Sequence, residues 1–305
     1  LMAASARADG KVTVYTAAPQ DLIDKVVPAF EAATKTKVEL VKAGSGELIN
    51  RLKAEKGRQT ADVIWSVAGE VLEANSTLFT KYAPENAKFI ADAFKIDDAW
   101  VPFTAVATSF GVNTKLLTPA QYPKSWTDLA NPAYKGKISA ARPDKSGSAY
   151  IQLATILQLY GEDKGWELYA KILDNLVLSN SSGAVPKFVN DGEASIGLSN
   201  EDTLLKFKQG GGPVEILYPA DGTTASADGM ALLANPANAE GGKQFMNFML
   251  SQEAQTILDG VGRRPIRADI VSKSSLTPLS NIKLIKFNTD LAGAQRTRIL
   301  AKWND

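Results

Sequence analysis

The feature that most constrains this chain is an alternation of short β-branched runs with helix-period segments, joined by loops of small and hydroxylated residues. Residues 11–15 have strand character, and Leu22, Ile23, Val26, Val27 and Phe30 then recur at the spacing of one helix face. Residues 37–42 repeat the strand, Gly44-Ser45-Gly46 turns the chain, and Leu48, Ile49 and Leu52 mark a second helix. Residues 62–66 give a third strand, followed by a short helix over 68–73. Strands separated by helices need crossover connections, which make them parallel, and a parallel sheet has to be covered by helices. The first ~100 residues therefore read as an α/β lobe.

The pattern restarts at Ile138 with a strand ending near Ala141, the loop 142–146, and a helix presenting Tyr150, Leu153, Ala154 and Leu157 on one face. It continues through a helix over 164–174, a strand near Val177-Leu178, a helix with Val185, Phe188 and Val189, and strands over 194–199 and 214–218. Gly229 to Leu233 is strand-like, and residues 241–250 and 253–258 are helical. Two stretches fit neither repeat: the apolar run 100–112, longer than an ordinary strand, and the polar run 220–227. Both are read as crossings between lobes. The expected division of the 305 residues is a processing remnant at 1–8, a discontinuous first lobe at 9–106 and 229–273, and a second lobe at 107–228 and 274–305. Two paired crossing strands make a hinge, because a few central residues absorb the rotation while each lobe keeps its core.

Composition narrows the chemistry. Thirty-four Lys and Arg against 33 Asp and Glu leave a net charge of +1, which offers no footprint for nucleic acid or a membrane surface. There is no cysteine and no histidine. Disulfides, thiolate or imidazole metal sites, cysteine nucleophiles and a Ser-His-Asp triad are all excluded. A hydrolase or transferase on this sheet would depend on carboxylates, lysine or tyrosine for proton transfer, and no perturbing partner for such a group is visible. The balance moves toward binding. The N-terminal stub LMAASARADG carries Ala6-Arg7-Ala8, which resembles the end of a secretory signal with its small-residue cleavage site. No later stretch reaches the ~18 apolar residues of a spanning helix. A periplasmic protein is expected.

In an open α/β sheet the ligand end is the carboxyl edge, where loops lead into helix N-termini. Those loops hold Thr16 and Ala17, Ser45 and Gly46, and Ser66 in the first lobe, and Ser146-Gly147-Ser148 and Ser182-Gly183 in the second. Small residues let a ligand approach backbone amides, hydroxyls add donors, and the positive end of a helix favours an anion. The same residues are also good helix caps, so each loop singly supports either reading. Glu201 and Asp202, after the strand 194–199, and Asp221, after the next, could accept hydrogen bonds from sugar hydroxyls or an amine; as first-turn residues they would equally serve a helix start. Arg263 and Arg264 offer a guanidinium fork for an anion, or surface pairs with Asp269 or Glu253.

Several segments resemble one family. Val12-Thr13-Val14-Tyr15, Ala61-Asp62-Val63-Ile64-Trp65, Lys124-Ser125-Trp126-Thr127-Asp128-Leu129, Tyr134-Lys135-Gly136-Lys137-Ile138, the run Phe248 to Gln255 and Arg263-Arg264-Pro265-Ile266-Arg267 are similar, in order and spacing, to type II periplasmic solute-binding proteins of ABC importers, in the ferric-binding-like cluster. The resemblance implies the two-lobe periplasmic binding protein type II fold, a small anionic ligand in the interlobe cleft, an inner-membrane ABC permease as partner, a monomer, and no cofactor or catalytic residue. Ferric-binding members hold their metal with a tyrosine pair after the second-lobe strand, aided by histidine and glutamate. Here that strand leads to Asn200-Glu201-Asp202 and histidine is absent. The segments Gly197 to Asp202 and Tyr218 to Thr223 are more similar to the branch that includes sugar-phosphate binders. The expected ligand is thus a sugar phosphate or related organophosphate or phosphonate, with ferric ion as the alternative cargo.

Overall fold

The computed structural model describes residues 10–305, so the expected cleavage site at Ala6-Arg7-Ala8 lies outside the described residues. The chain divides into two compact units, one comprising residues 10–105 with Ala227–Ser274 and the other Val106–Ser226 with Ser275–Asp305.

The first unit opens with β1 (Lys11–Thr16), α1 (Gln20–Thr34), β2 (Lys37–Lys42), α2 (Ser45–Ala54), β3 (Val63–Ala68), α3 (Gly69–Ala74) and the two-residue β4 (Phe79–Thr80). As the alternation dictates, β1 pairs in parallel with both β2 and β3. Side chains obey the period of two. Val12, Val14, Val63 and Trp65 enter one apolar cluster with the buried face of α1, while Tyr15 and Ile64 enter another with Leu48, Ile49 and Leu52 of α2; past the register shift at Ser66 the alternation is reset, and Val67 joins the second cluster. A sheet buried on both faces explains why these strands read as continuous apolar runs. Helix α1 stops at Lys35, which turns left-handed (φ 59°) and donates its amide to the Glu31 carbonyl.

The long strand β5 (Val101–Asn113), buried along its length, carries the chain into the second unit. There follow β6 (Ile138–Ala141), α4 (Gly147–Tyr160), α5 (Glu162–Leu173), β7 (Leu176–Ser179), α6 (Ala184–Asn190), β8 (Ile196–Asn200), α7 (Glu201–Gln209) and β9 (Val214–Leu217). β6 pairs in parallel with β7 and β8, while the unit-two part of β5 pairs antiparallel with β8 and β9. Helix α4 is apolar nearly all round and buried from Ala149 to Leu157, at the centre of this unit's main cluster. Two strand glycines let helices lie close on the sheet: a Cβ at Gly111 would meet Leu204 of α7 at 2.3 Å, and one at Gly197 would meet Val189 of α6 at 2.6 Å.

The strand β10 (Ala225–Leu233) returns the chain to the first unit, where it pairs antiparallel with β3 and β4. Helices α8 (Ala239–Met249) and α9 (Gln252–Gly260) place Phe245, Met246 and Leu258 against the same cluster as α1, and β11 (Arg264–Pro265) pairs with Ala105 and Thr104. The final helix, α10 (Thr289–Asn304), packs on the second unit through Ala292 and Ile299, its main chain accepting the Tyr150 hydroxyl at Ala292.

Candidate functional site

In the first unit the carboxyl edges of three strands are tied together by their own backbone. The Thr16 carbonyl accepts the Ala43 amide after β2 at 3.1 Å, and the Ala17 amide donates to the Trp65 carbonyl of β3 at 3.3 Å. The fully buried Thr16 hydroxyl donates to that same carbonyl at 2.9 Å and accepts the Ala18 amide at 3.0 Å. Thr16, Ala17, Ser66 and the start of α2 thus belong to one edge. Ser66 is buried with φ 60°, a left-handed backbone unusual for a non-glycine residue, and stands where the β3–β10 register shifts by one residue. Ser45 and Gly46 are the first two residues of α2, after Gly44.

In the second unit, the Arg142 amide donates to the Ser179 carbonyl, so the loops that follow β6 and β7 start side by side. Ser146 caps α4: its Oγ accepts the Ala149 amide at 3.2 Å and lies 3.0 Å from Ser148 Oγ. Gly147 between them faces open space, since beyond its chain neighbours and its own helix turn no atom lies within 4 Å of where a Cβ would stand. The loop also contains a fixed guanidinium that the sequence reading passed over. Arg142 makes a bidentate pair with Asp144 (2.9 and 3.0 Å) and stacks over the Trp303 ring at 5.0 Å, and its hydrogen bonds, aided by its charge, hold the Asp144 carboxyl below the usual range. Ser182 and Gly183 precede α6, where the Gly183 amide is taken by Ser181 Oγ at 3.2 Å.

Three carboxylates occupy distinct settings. Glu201 and Asp202 are the first two residues of α7 and both are buried. Glu201 accepts the Ala107 amide at 2.9 Å and the Tyr218 hydroxyl at 2.6 Å. Asp221 accepts the Trp126 amide at 3.1 Å and the Tyr160 hydroxyl, while Trp126 Nε1 donates to the Gly222 carbonyl at 2.9 Å. Burial, reinforced by Asp221, pushes the Tyr160 phenol well above its ordinary value. Asp221 therefore fastens the Trp126 segment to α4. After α9 the chain carries three arginines, Arg263, Arg264 and Arg267. Arg263 pairs with Asp228 at 2.9 Å, and Asp269 is instead the partner of Arg267, whose guanidinium lies 4.1 Å over the Phe89 ring. Asp228 was out of reach of the sequence argument because β10 brings it there from far along the chain. Among the described residues, no group of three or more acidic, cysteine or histidine side chains could hold a metal ion.

Residues 58–288 match the family described as bacterial extracellular solute-binding protein, and the chain belongs to that family. It is 26% identical over 290 residues, 90% of this chain and 85% of the other, to a putative 2-aminoethylphosphonate-binding periplasmic protein of Salmonella typhimurium. It is 25% identical over 301 residues, 92% of this chain and 86% of the other, to an Fe(3+)-binding periplasmic protein of Serratia marcescens. The solved periplasmic binding protein AfuA from Actinobacillus pleuropneumoniae, with exogenous fructose-6-phosphate bound, superposes with a TM-score of 0.84 at 26% identity, over 96% of this chain and 97% of that one. The chain is accordingly a two-lobe periplasmic solute-binding protein of an ABC transporter. No helix among the described residues is long and apolar enough to cross a membrane.

Proposed function

We propose that the chain captures a small solute bearing a phosphate or phosphonate group and hands it, chemically unchanged, to its permease. The observation that carries this reading is the start of α4. A 14-residue helix begins at Gly147, and the amides of its first turn have no acceptor inside the helix. Ser146 and Ser148 place two hydroxyls beside them, and Gly147 leaves the approach open. A tetrahedral anion needs several donors in one place, and this arrangement offers main-chain amides, hydroxyls and the positive end of a helix together. The 2-aminoethylphosphonate named for the Salmonella protein and the fructose-6-phosphate bound to the Actinobacillus protein both carry such a group. Ala17, Ser45, Gly46 and Ser66 are assigned to the solute from the first unit, and Ser182, Gly183 and Asp202, with the α4 start, from the second. Thr16, Glu201 and Asp221 are left out, because their side-chain oxygens are already bonded within the protein. Ferric ion is the weaker reading: it rests on relatives such as the Serratia protein, in a chain without histidine.

Ser146→Asp tests the proposal. Aspartate is as good an N-cap as serine, so α4 keeps its start. The added negative charge opposes a second one by ~1–4 kcal/mol at contact distance, which weakens binding about fivefold or more. Calorimetry with 2-aminoethylphosphonate and fructose 6-phosphate should show that loss with the melting temperature preserved; unchanged affinity would place the anion elsewhere.

A further inference from the structure

The chain passes between its units inside β5 and β10, and the bonds holding these strands change owner over very few residues. In β5, Ala105 pairs with Arg264 of β11, and Thr104 Oγ1 donates to the Arg264 carbonyl at 2.9 Å, both within the first unit. Two residues later the contacts belong to the second unit. The Ala107 amide donates to Glu201 at 2.9 Å, the Thr108 amide to the Thr224 carbonyl at 2.9 Å, and the Thr223 hydroxyl to the Thr108 carbonyl at 2.8 Å. Val106 stands between the two sets. In β10 the change comes between Thr224, whose hydroxyl lies 2.7 Å from Thr155 Oγ1 of α4, and Asp228, which pairs with Ala68 and accepts Arg263.

Glu201 is the strongest of these anchors. It is 1% exposed, and its two oxygens each accept a protein donor, one from the strand and one from Tyr218. Hydrogen bonds to a carboxylate are about twice as strong as neutral ones, and losing the acceptor would leave the Ala107 amide buried and unsatisfied. A group that contacts solute has to exchange its partners when solute arrives, whereas one so enclosed holds what it already has. We propose that Glu201 is a positioning residue that pins β5 to the second unit. This inference rests on the unit boundaries and not on the identity of the solute.

The test is amide hydrogen exchange of the full chain without solute, so a failure of the phosphate reading leaves it intact. In Glu201→Ala the Ala107 amide should exchange about ten- to hundredfold faster than in the parent, with the β1 amides of Val12 and Val14 unchanged. Glu201→Gln, which keeps an acceptor oxygen, should stay within about threefold. Ala107 exchange in Glu201→Ala within about threefold of the parent would overturn the proposal. Should the alanine variant not fold, Glu201→Asp decides. Its carboxylate is withdrawn by one methylene, so Ala107 exchange should rise more than about threefold, and an unchanged rate would overturn the pin.

Discussion

Replacing Trp65 by alanine should cost about 3–5 kcal/mol of the first unit's stability, the range for removing a large aromatic side chain from a closed core. Trp65 is fully buried in β3, with its ring 5.8 Å from Phe103 and 5.4 Å, edge-on, from Phe245. Phe30 of α1 meets Phe245 at 5.3 Å, so the indole joins the sheet to both helices on that face. Deleting it opens a cavity bounded by a strand and two helices that cannot all move inward together. The indole N–H is itself buried without a hydrogen-bond partner, so Trp65→Phe should cost much less than Trp65→Ala, trading some packing for removal of an unsatisfied donor. Urea titrations followed by circular dichroism would check both. A loss below about 1 kcal/mol in the alanine variant would contradict this account of the core.

The second large effect centres on Asp62. This carboxylate, 2% exposed at the start of β3, accepts the Thr13 amide of β1 at 2.9 Å and the Asn238 amide, just before α8, at 2.7 Å. Asp62→Ala leaves two amides without an acceptor and should cost about 2–6 kcal/mol, taking roughly 1–3 for each. A pH signature distinguishes this role. Burial pushes the Asp62 carboxyl above its ordinary value, outweighing the backbone donors that favour the charged form. The folded chain therefore holds this proton more tightly than the unfolded chain does. The corresponding stability is fully present below the ordinary aspartate pKa and is lost as pH rises through the raised one. Asp62→Asn keeps an acceptor oxygen and does not titrate, so the stability of the parent minus that of Asp62→Asn should fall as pH rises across this window. A flat or rising difference would show that the charged form is not penalised.

The elements that the sequence made legible are those whose own residues carry the signal. The β1–α1–β2–α2–β3 alternation was legible because β1 and β3 are apolar runs buried on both faces, the edge strand β2 alternates exposed and half-buried residues, and each helix buries one stripe. Helix α10 escaped that reading: only Ala292 and Ile299 are buried, with Leu300 and Trp303 partly so, too few in 16 residues to mark a full stripe. Antiparallel pairing of β5 with β8 and β9 was also invisible, since register between distant segments leaves no local pattern. At the site, Ser146 could be read as the head of a helix because capping is a local matter. Partners could not be read in the same way. Glu201 meets Tyr218 and Ala107, and Asp221 meets Trp126 and Tyr160, only after the chain has returned on itself. A carboxylate at a strand end looks identical in sequence whether it awaits a solute or holds a neighbouring amide.

The most direct test of the central claim is calorimetric titration of the unmodified chain with fructose 6-phosphate, 2-aminoethylphosphonate, fructose and ferric citrate in parallel, followed by mass analysis of the recovered solute. The account predicts that a phosphate- or phosphonate-bearing compound binds, that the sugar lacking this group does not, and that the bound compound returns unaltered. Binding confined to ferric ion, with a coloured protein, or recovery of a dephosphorylated product would contradict it.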